Sequence, residues 1–548
     1  MSKPPKLRRY LARFDSYEVP QIFTDVLVIG SGIAGLSAAL EACKRCSVLM
    51  VTKGAVTDGC TNVAQGGIAC AIAQGDSPRD HFEDTLQAGA GLCDEEAVRI
   101  VTEEAPVRIR ELLELGVAFD HVGQGDDDGG RRRFSFTLEG GHRRARILHA
   151  DGDATGAAVE AALVSRAREH ESLHVLENTF AVDLLTVDGS CHGALIWNLM
   201  HGLMMVRAKR TILATGGCGR LYRESTNPAV ATGDGVAMAY RSGATLQDLE
   251  FVQFHPTALY VAGAARALIS ESLRGEGAVL RNRDGEAFMQ RYHPDADLAP
   301  RDVVSRSIME EMKRTGHTHV YLDATHRSRS YLESRFPTIT GLCDQFGLNI
   351  AEDFVPVRPA AHYQIGGVAA DGNGRSTVDN LFACGEVACT GVHGANRLGS
   401  NSLLEGLVYG RRAGAAAGAA CEGITEEAPL RRIQSHTQEP AYGSLNLTDV
   451  ENSLRSLMWR SAGVERNQRG LDEARELIAF WCRYVMDKEF DSPDGWRLQN
   501  MLIVARLIAM SARQRQESRG VHYRTDFPET SEDWRRHIVV VNTGQEWL

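Results

Sequence analysis

Gly30-Ser31-Gly32-Ile33-Ala34-Gly35 is the first place in the chain where residue types and spacing could do chemistry. Gly30 allows a tight turn, Gly32 lets a pyrophosphate approach the backbone, and Gly35 permits a helix to pack closely on its strand. A helix starting there would direct unpaired N–H groups and partial positive charge at phosphates. Thr61-Asn62-Val63-Ala64-Gln65-Gly66-Gly67-Ile68 sets small and amide residues around two glycines. That composition can lay backbone donors along a flat heterocycle, and it equally suits an ordinary loop. In His393–Glu405, Ser402 and Glu405 stand at capping-box spacing, which predicts a helix start with its positive end toward the preceding loop. Arg301 and Arg397 offer planar forks matched to carboxylates, and His255 and His362 offer shorter donors. Taken singly, each of these four is more often a structural ion-pair or core residue.

The elements that must position these groups follow from periodicity. Thr24–Ile29 is a short apolar strand, Leu36–Arg45 has helical spacing, and Ser47–Thr52 is a second strand, so the glycines sit at the turn of a β-α-β unit. Lys53 stands where NAD-binding folds place an acid, which weakens an NAD reading and leaves FAD open. Arg210–Thr215 runs into Gly216-Gly217, and Asn380–Cys384 into Gly385-Glu386; both read as later strands of one sheet. The segment between them, roughly 249–355, is then an insertion that mixes helical segments with loops. The sheet-bearing part is expected to end near Ile424, with a polar, proline-bearing linker at Glu426–Tyr442. Beyond it, Leu471, Ala474, Leu477, Ile478, Trp481, Tyr484 and Val485 recur at the spacing of a one-sided helix, and another helix is expected over Trp496–Met510.

With 548 residues, two to four domains are expected; 43% hydrophobic and 24% charged residues are the proportions of a globular protein. The net charge of −11, with basic residues scattered, makes nucleic acid a poor partner. Met1–Pro20 has no apolar secretory core, and Val26–Cys43 is too broken by glycine, serine and Glu41 to span a membrane, so a cytoplasmic protein without a membrane span is expected. The twelve cysteines include one C-x-x-C, Cys43 and Cys46, with no second pair to complete a zinc or iron–sulfur set. They read as packing thiols, no metal is expected, and electrons handled here must leave to a diffusible acceptor or a partner.

Ten ordered motifs then add up to a resemblance. They are the G-S-G-I-A-G-L turn, T-N-V-A-Q-G-G-I, A-T-G-G, T-G-D-G at 232–235, H-P-T at 255–257, R-G-E-G at 274–277, A-P-R-D at 299–302, H-Y-x-x-G-G at 362–367, F-A-C-G-E and H-G-A-N-R-L-G-S-N-S. Together they resemble the succinate dehydrogenase/fumarate reductase flavoprotein superfamily, and within it the L-aspartate oxidase family, from Asp25 to Glu517-Ser518-Arg519-Gly520. The resemblance implies an α/β Rossmann-like FAD-binding domain with an inserted α+β capping domain and a C-terminal helical domain. The expected extents are an N-terminal extension at 1–20, the FAD-binding domain at 21–248 and 356–425, the capping domain at 249–355 and the helical domain at 426–548.

It also implies FAD held by Gly30, Ser31, Gly32, Ile33, Ala34, Gly35, Lys53, the loop Cys60, Thr61, Asn62, Val63, Ala64, Gln65, Gly66 and Gly67, and by Ala181, Asp234, Glu386, Ser402 and Leu403. Cys60 occupies the position of the histidine that bonds covalently to FAD in succinate dehydrogenases, so a non-covalent cofactor is expected. The substrate is implied to lie between flavin and capping domain, among His255, Glu271, Arg301, His362 and Arg397. Glu139 is implied to face the substrate ammonium, because a pocket of arginine and histidine would otherwise repel an amino group. The implied reaction is oxidation of L-aspartate to iminoaspartate, opening NAD biosynthesis, by hydride transfer from Cα to flavin N5 with Arg301 in proton transfer. Other C4 dicarboxylates are implied as ligands, oxygen or fumarate as acceptor, and a hand-off to quinolinate synthase. The alternative is a fumarate reductase or succinate dehydrogenase flavoprotein. Gln364 and Ile365 depart from the usual pattern, and the Gly123–Gly130 insert has no counterpart.

Overall fold

The computed structural model describes residues 7–122, 134–262, 266–424, 431–435 and 445–543. The Gly123–Gly130 insert and most of the expected 426–442 linker lie outside the described residues. Val26–Ile29 and Val48–Val51 are apolar on both faces, and both are buried in a seven-stranded sheet. Its order is Leu173–Leu176, Val48–Val51, Gln21–Ile29, Gly202–Leu213, Ser190–Asn198, Thr179–Val187, with Leu381–Ala383 pairing with Gly202–Leu213 off that path. The first four and Leu381–Ala383 run parallel, and the hairpins that follow are antiparallel. The strands before Gly216 and Gly385 are thus neighbours in one sheet, as their sequences predict.

Helix Ile33–Ala42 starts immediately after the Gly30 turn, and helix Asn401–Ala419 packs along it. Gly406, Gly410, Gly414 and Gly418 recur every fourth residue on the second helix and make this approach possible. A Cβ on Gly410 would lie 2.4 Å from the Ala34 carbonyl oxygen, and one on Gly414 2.2 Å from that of Ala38. Gly35 performs the same service on the sheet side, where a Cβ would come within 2.0 Å of the Gly30 oxygen.

The inserted segment is more ordered than helical segments and loops. Val252–Leu259, Val355–Gln364, Val320–Asp323 and Val279–Arg281 form a four-stranded antiparallel sheet in that order, packed with helix Arg301–Thr315 around its own core. Its first and longest pair joins the two ends of the 249–355 segment, with Val252–Leu259 just inside the start and Val355–Gln364 running past the end. The C-terminal region is helical over Leu447–Ser461, Gln468–Val485 and Pro493–Gln514, and Val539–Val540 returns to pair with Leu246–Gln247. The N-terminal residues are tied in as well: Leu11 and Phe14 are buried with Phe180, Val182 and Trp496.

Gly414→Val is expected to lower stability by about 1–3 kcal/mol, the usual cost of forcing bulk into a filled interface. A denaturation midpoint equal to that of the unsubstituted chain would contradict the packing described.

Candidate active site

One continuous cavity runs from the glycine turn of the sheet domain to the inserted domain. Of the residues predicted to hold cofactor, Gly30, Ser31, Gly32, Ile33, Ala34, Lys53, Cys60, Thr61, Val63, Ala64, Gln65, Gly66, Gly67, Ala181, Asp234, Glu386, Ser402 and Leu403 line it. Gly35 does not; it is a packing glycine under the turn. Asn62 is exposed and off the cavity wall. The donor set suits a dinucleotide. A helix leaves its first-turn N–H groups without intrahelical partners, and the start of Ile33–Ala42 borders the cavity, with the Ile33 N–H bonded to Thr61 Oγ1 at 3.0 Å. The amide oxygen of Gln65 is buried there without a partner, ready to receive a donor.

Lys53 and Asp234 reach the site as an ion pair at 2.9 Å. Burial opposes the charge of Asp234, which is only slightly exposed, yet Lys53, Thr232 and Asn500 hold it below the usual carboxylate range. Asn500 belongs to the C-terminal helix Pro493–Gln514 and donates to Asp234 at 2.8 Å, so the helical domain props the cofactor wall. No motif in the sequence marks Asn500.

His255, Glu271, Arg301, His362 and Arg397 all line the same cavity. Arg301 opens its helix and donates Nε to Glu271 at 2.5 Å, while its Nη1 is buried without a partner. Glu271 also accepts the Gly140 N–H at 3.0 Å and lies 3.7 Å from Arg274. Burial opposes its charge, but the two guanidiniums keep Glu271 below its ordinary range. Arg274 sits in the R-G-E-G motif, and only its role escaped the sequence reading.

Arg397 donates Nε and Nη2 to Gln253 at 3.1 and 3.0 Å, donates Nη1 to Ser402, and lies 4.4 Å over the Tyr363 ring. Burial, followed by the charge of Arg301, pulls its pKa down to about 10. His255 and His362 meet edge-on at 5.2 Å. Burial and the nearby arginines depress both well below the usual imidazole range, so both are neutral. The Thr257 N–H donates to His255 Nδ1 at 3.2 Å, which leaves the proton on Nε2. His362 is braced by Thr226 Oγ1 at 2.9 Å and by Asn227, whose Nδ2 donates to its carbonyl at 2.9 Å. Gln253, two residues before His255 on the same strand, was within reach of a strand-period reading; Thr226 and Asn227 were not.

Two expectations need correction. Helix Asn401–Ala419 does begin in the predicted place, but Ser402 and Glu405 form no capping box. Ser400 is its N-cap, in a left-handed conformation with φ 61° and no side-chain cap bond. Glu405 is instead buried one turn in, accepting from Tyr363 at 2.8 Å, His393 at 3.0 Å and Thr390 at 2.5 Å. Glu139, expected against the substrate, is 2% exposed but stands one layer back from the cavity wall. It accepts from Ser400, which lines the cavity, at 2.7 Å and from Ser272 at 3.1 Å. Gly399 separates it from Arg301: a Cβ there would lie 2.9 Å from Glu139 and 3.2 Å from the Arg301 guanidinium. Burial and neighbouring Glu271 raise the pKa of Glu139.

The FAD binding domain family matches residues 25–403, and the fumarate reductase flavoprotein C-terminal family matches 451–547. The structure is similar to Escherichia coli quinol fumarate reductase FrdA, with a TM-score of 0.86 and 29% identity over 95% of this chain and 94% of that one. Mycobacterium smegmatis Sdh1 gives 0.80 and 32% over 95% and 94%. Fold and cavity together thus define a flavoprotein with FAD as its cofactor. Among curated relatives, the chain is 44% identical to L-aspartate oxidase of Streptomyces coelicolor over 95% of its length and 91% of the relative's. It is 40% identical to that of Yersinia pestis over 93% and 97%. The chain belongs to the L-aspartate oxidase family.

Asp234→Ala strips the carboxylate from Lys53 and the acceptor from Asn500, and is expected to weaken FAD binding at least tenfold, about 1.4 kcal/mol. Flavin released on dilution, followed by fluorescence, measures it; unchanged retention would remove the pair from the cofactor wall.

Proposed function

We infer that the chain oxidises L-aspartate to iminoaspartate, with bound FAD supplying the hydride acceptor, as the first step of NAD biosynthesis through quinolinate. The observation that carries this reading is the charge pattern of the cavity, with two guanidiniums, two neutral imidazoles and the Arg301-paired Glu271 at its wall and a second buried carboxyl, Glu139, directly behind. Arg301 and Arg397 suit the two carboxylates of a C4 diacid, and the Nε2–H of His255 adds a neutral donor. Succinate would need nothing more. An amino-diacid brings an ammonium that these cations repel, and Glu139 with Ser400 supplies the compensating anion.

Proton loss from the substrate needs a group that can pass charge away from the cavity. Arg301 is placed for this, because its Nε is bonded to Glu271 and Glu271 neighbours Arg274. Cys60 replaces the histidine of covalent flavoproteins, which fits FAD bound without a covalent link. We take oxygen or fumarate as the acceptor, quinolinate synthase as the receiver of the labile imine, and the cytoplasm as the location. Among the described residues no helix is long and apolar enough to cross a membrane. The division at 21–248, 249–355, 356–425 and 426–548 stands as the reading of domain extents.

Purified protein given L-aspartate in air is expected to consume oxygen, and Arg301→Leu to abolish this. Glu139→Gln is expected to cut kcat/KM for L-aspartate at least tenfold, about 1.4 kcal/mol, because the negative charge behind Ser400 is then lost. Fumarate binding should change little. The pH profile follows with a definite sign. Protonation removes the anion, so kcat/KM for L-aspartate should fall as pH drops through a Glu139 pKa above the ordinary glutamate range, and Glu139→Gln should lose that acid limb. Full L-aspartate turnover in either variant, or equal turnover of succinate, would overturn the reading.

A further inference from the structure

The two glycine-packed helices end side by side. A Cβ on Gly418 would lie 3.5 Å from both the Cα and the carbonyl oxygen of Ala42. Cys46, in the turn after Ile33–Ala42, donates its thiol to that same Ala42 oxygen at 3.5 Å. Cys421, in the turn after Asn401–Ala419, donates its N–H to Gly418 at 3.1 Å and its thiol to the Asp25 carbonyl at 3.6 Å. Asp25 is locked in turn to Ser47, the neighbour of Cys46: the Ser47 N–H donates to its carboxylate at 2.9 Å, and its own N–H donates to Ser47 Oγ at 3.0 Å. The two thiols are brought from 375 residues apart onto one corner of the sheet, each anchored to a backbone oxygen that the other's turn packs against.

Two basic side chains reach the Cys421 side of the corner, and Lys209 also pairs with Asp25 at 2.7 Å. Arg210 donates to the Ala420 carbonyl at 2.8 Å and Lys209 to that of Ile424 at 2.6 Å. The Cys46 thiol, Arg210 and Lys209 hold Cys421 below the ordinary thiol range, against its burial and the Asp25 carboxylate. Cys421 is 6% exposed and Cys46 is half-buried, so a small oxidant has access from the Cys46 side. A thiol flanked by basic side chains and set near a second, more accessible thiol is the pattern of a redox-reactive pair.

We propose that Cys46 and Cys421 are a peroxide-reactive dithiol that closes into a reversible disulfide, tying together the far ends of the two helices whose starts border the cofactor cavity. The Cys421 thiolate attacks one oxygen of hydrogen peroxide, the O–O bond breaks, and Cys421 becomes a sulfenic acid while the departing hydroxide takes a proton to form water. Cys46 gives up its proton and attacks the sulfenic sulfur, the S–S bond forms, and the hydroxyl leaves as a second water. Two thiols lose two protons and two electrons, and one peroxide is reduced to two waters. The proposal rests on the oxidase reading only for its natural oxidant, which an oxygen-linked flavin reaction would release from the cavity at the other end of the helices.

The test treats the full-length, FAD-loaded protein with hydrogen peroxide, blocks free thiols, and maps peptides without reduction. The expected result is a Cys46–Cys421 linked peptide that appears before other cysteines are consumed and is lost on adding dithiothreitol. Cys46→Ser should leave Cys421 as a dimedone-reactive sulfenic acid. Cys421→Ser should slow oxidation of Cys46 by roughly tenfold or more, as expected when the activated thiolate is removed. Consumption of other cysteines first, or Cys46 oxidising as fast without Cys421, would overturn the proposal. A linked peptide formed with added peroxide but not during L-aspartate turnover in air would uphold the dithiol and count against oxygen as acceptor.

Discussion

Arg301 and Arg397 share the wall of one cavity, and a guanidinium withdrawn from water is costly unless negative charge or hydrogen bonds meet it. Arg301 has Glu271 on Nε, yet its Nη1 is buried and unmatched. The hydrogen bonds of Arg397 go to the neutral Gln253 and Ser402, and its flat face rests on Tyr363. The two imidazoles are neutral, because burial and then the neighbouring positive charge disfavour protonation. Glu271 offsets one of the two guanidiniums, so the pair keeps a net positive charge and an unmatched Nη1, which the carboxylates of a C4 diacid are suited to meet.

Much of the surrounding structure holds that net charge in place. Glu405 is kept charged by His393, Thr390 and Tyr363, so the ring under Arg397 is fixed through its hydroxyl. Gly399 and Ser400 lie between Glu139 and Arg301, and the carbonyl of Gly399 meets His142 Nε2 at 3.0 Å. Arg146 lies 3.1 Å from His142 Nδ1 and is itself paired with Asp76 and Asp84, which sets the donor on the Gly399 side. The C-terminal helices contribute through Asn500 to Asp234. Apart from Arg146 with His142, four residues apart, these contacts join residues from separate elements of the chain.

This explains which parts could be read from the chain. The Gly30–Gly35 turn is local: strand, glycines and helix follow one another, and backbone geometry alone demands those residues. The two arginines and two histidines of the cavity could be placed only by their motifs, since one arginine resembles any other. The capping box failed because Glu405 satisfies a buried hydroxyl and imidazole from distant segments rather than its own helix start. The sheet of the inserted domain was hidden by Pro256 and Pro359, which interrupt both strands of its longest pair. There the pairing shifts register between His255 and Ala258, so the prolines sit at an irregularity. Cys46 read as a packing thiol because its partner, Cys421, lies at the far end of another helix.

The most direct test of the net positive charge is flavin reduction by L-asparagine set against L-aspartate, in anaerobic rapid mixing. L-asparagine keeps the ammonium, the α-carboxylate and the reacting Cα–H, and replaces only the second carboxylate with a neutral amide. If two guanidiniums must both be met, L-asparagine should reduce the flavin at least ~100-fold less efficiently, the ~3 kcal/mol that separates a paired buried charge from an unpaired one. Comparable reduction by both amino acids would show that one carboxylate is enough, and the account of the cavity would be wrong.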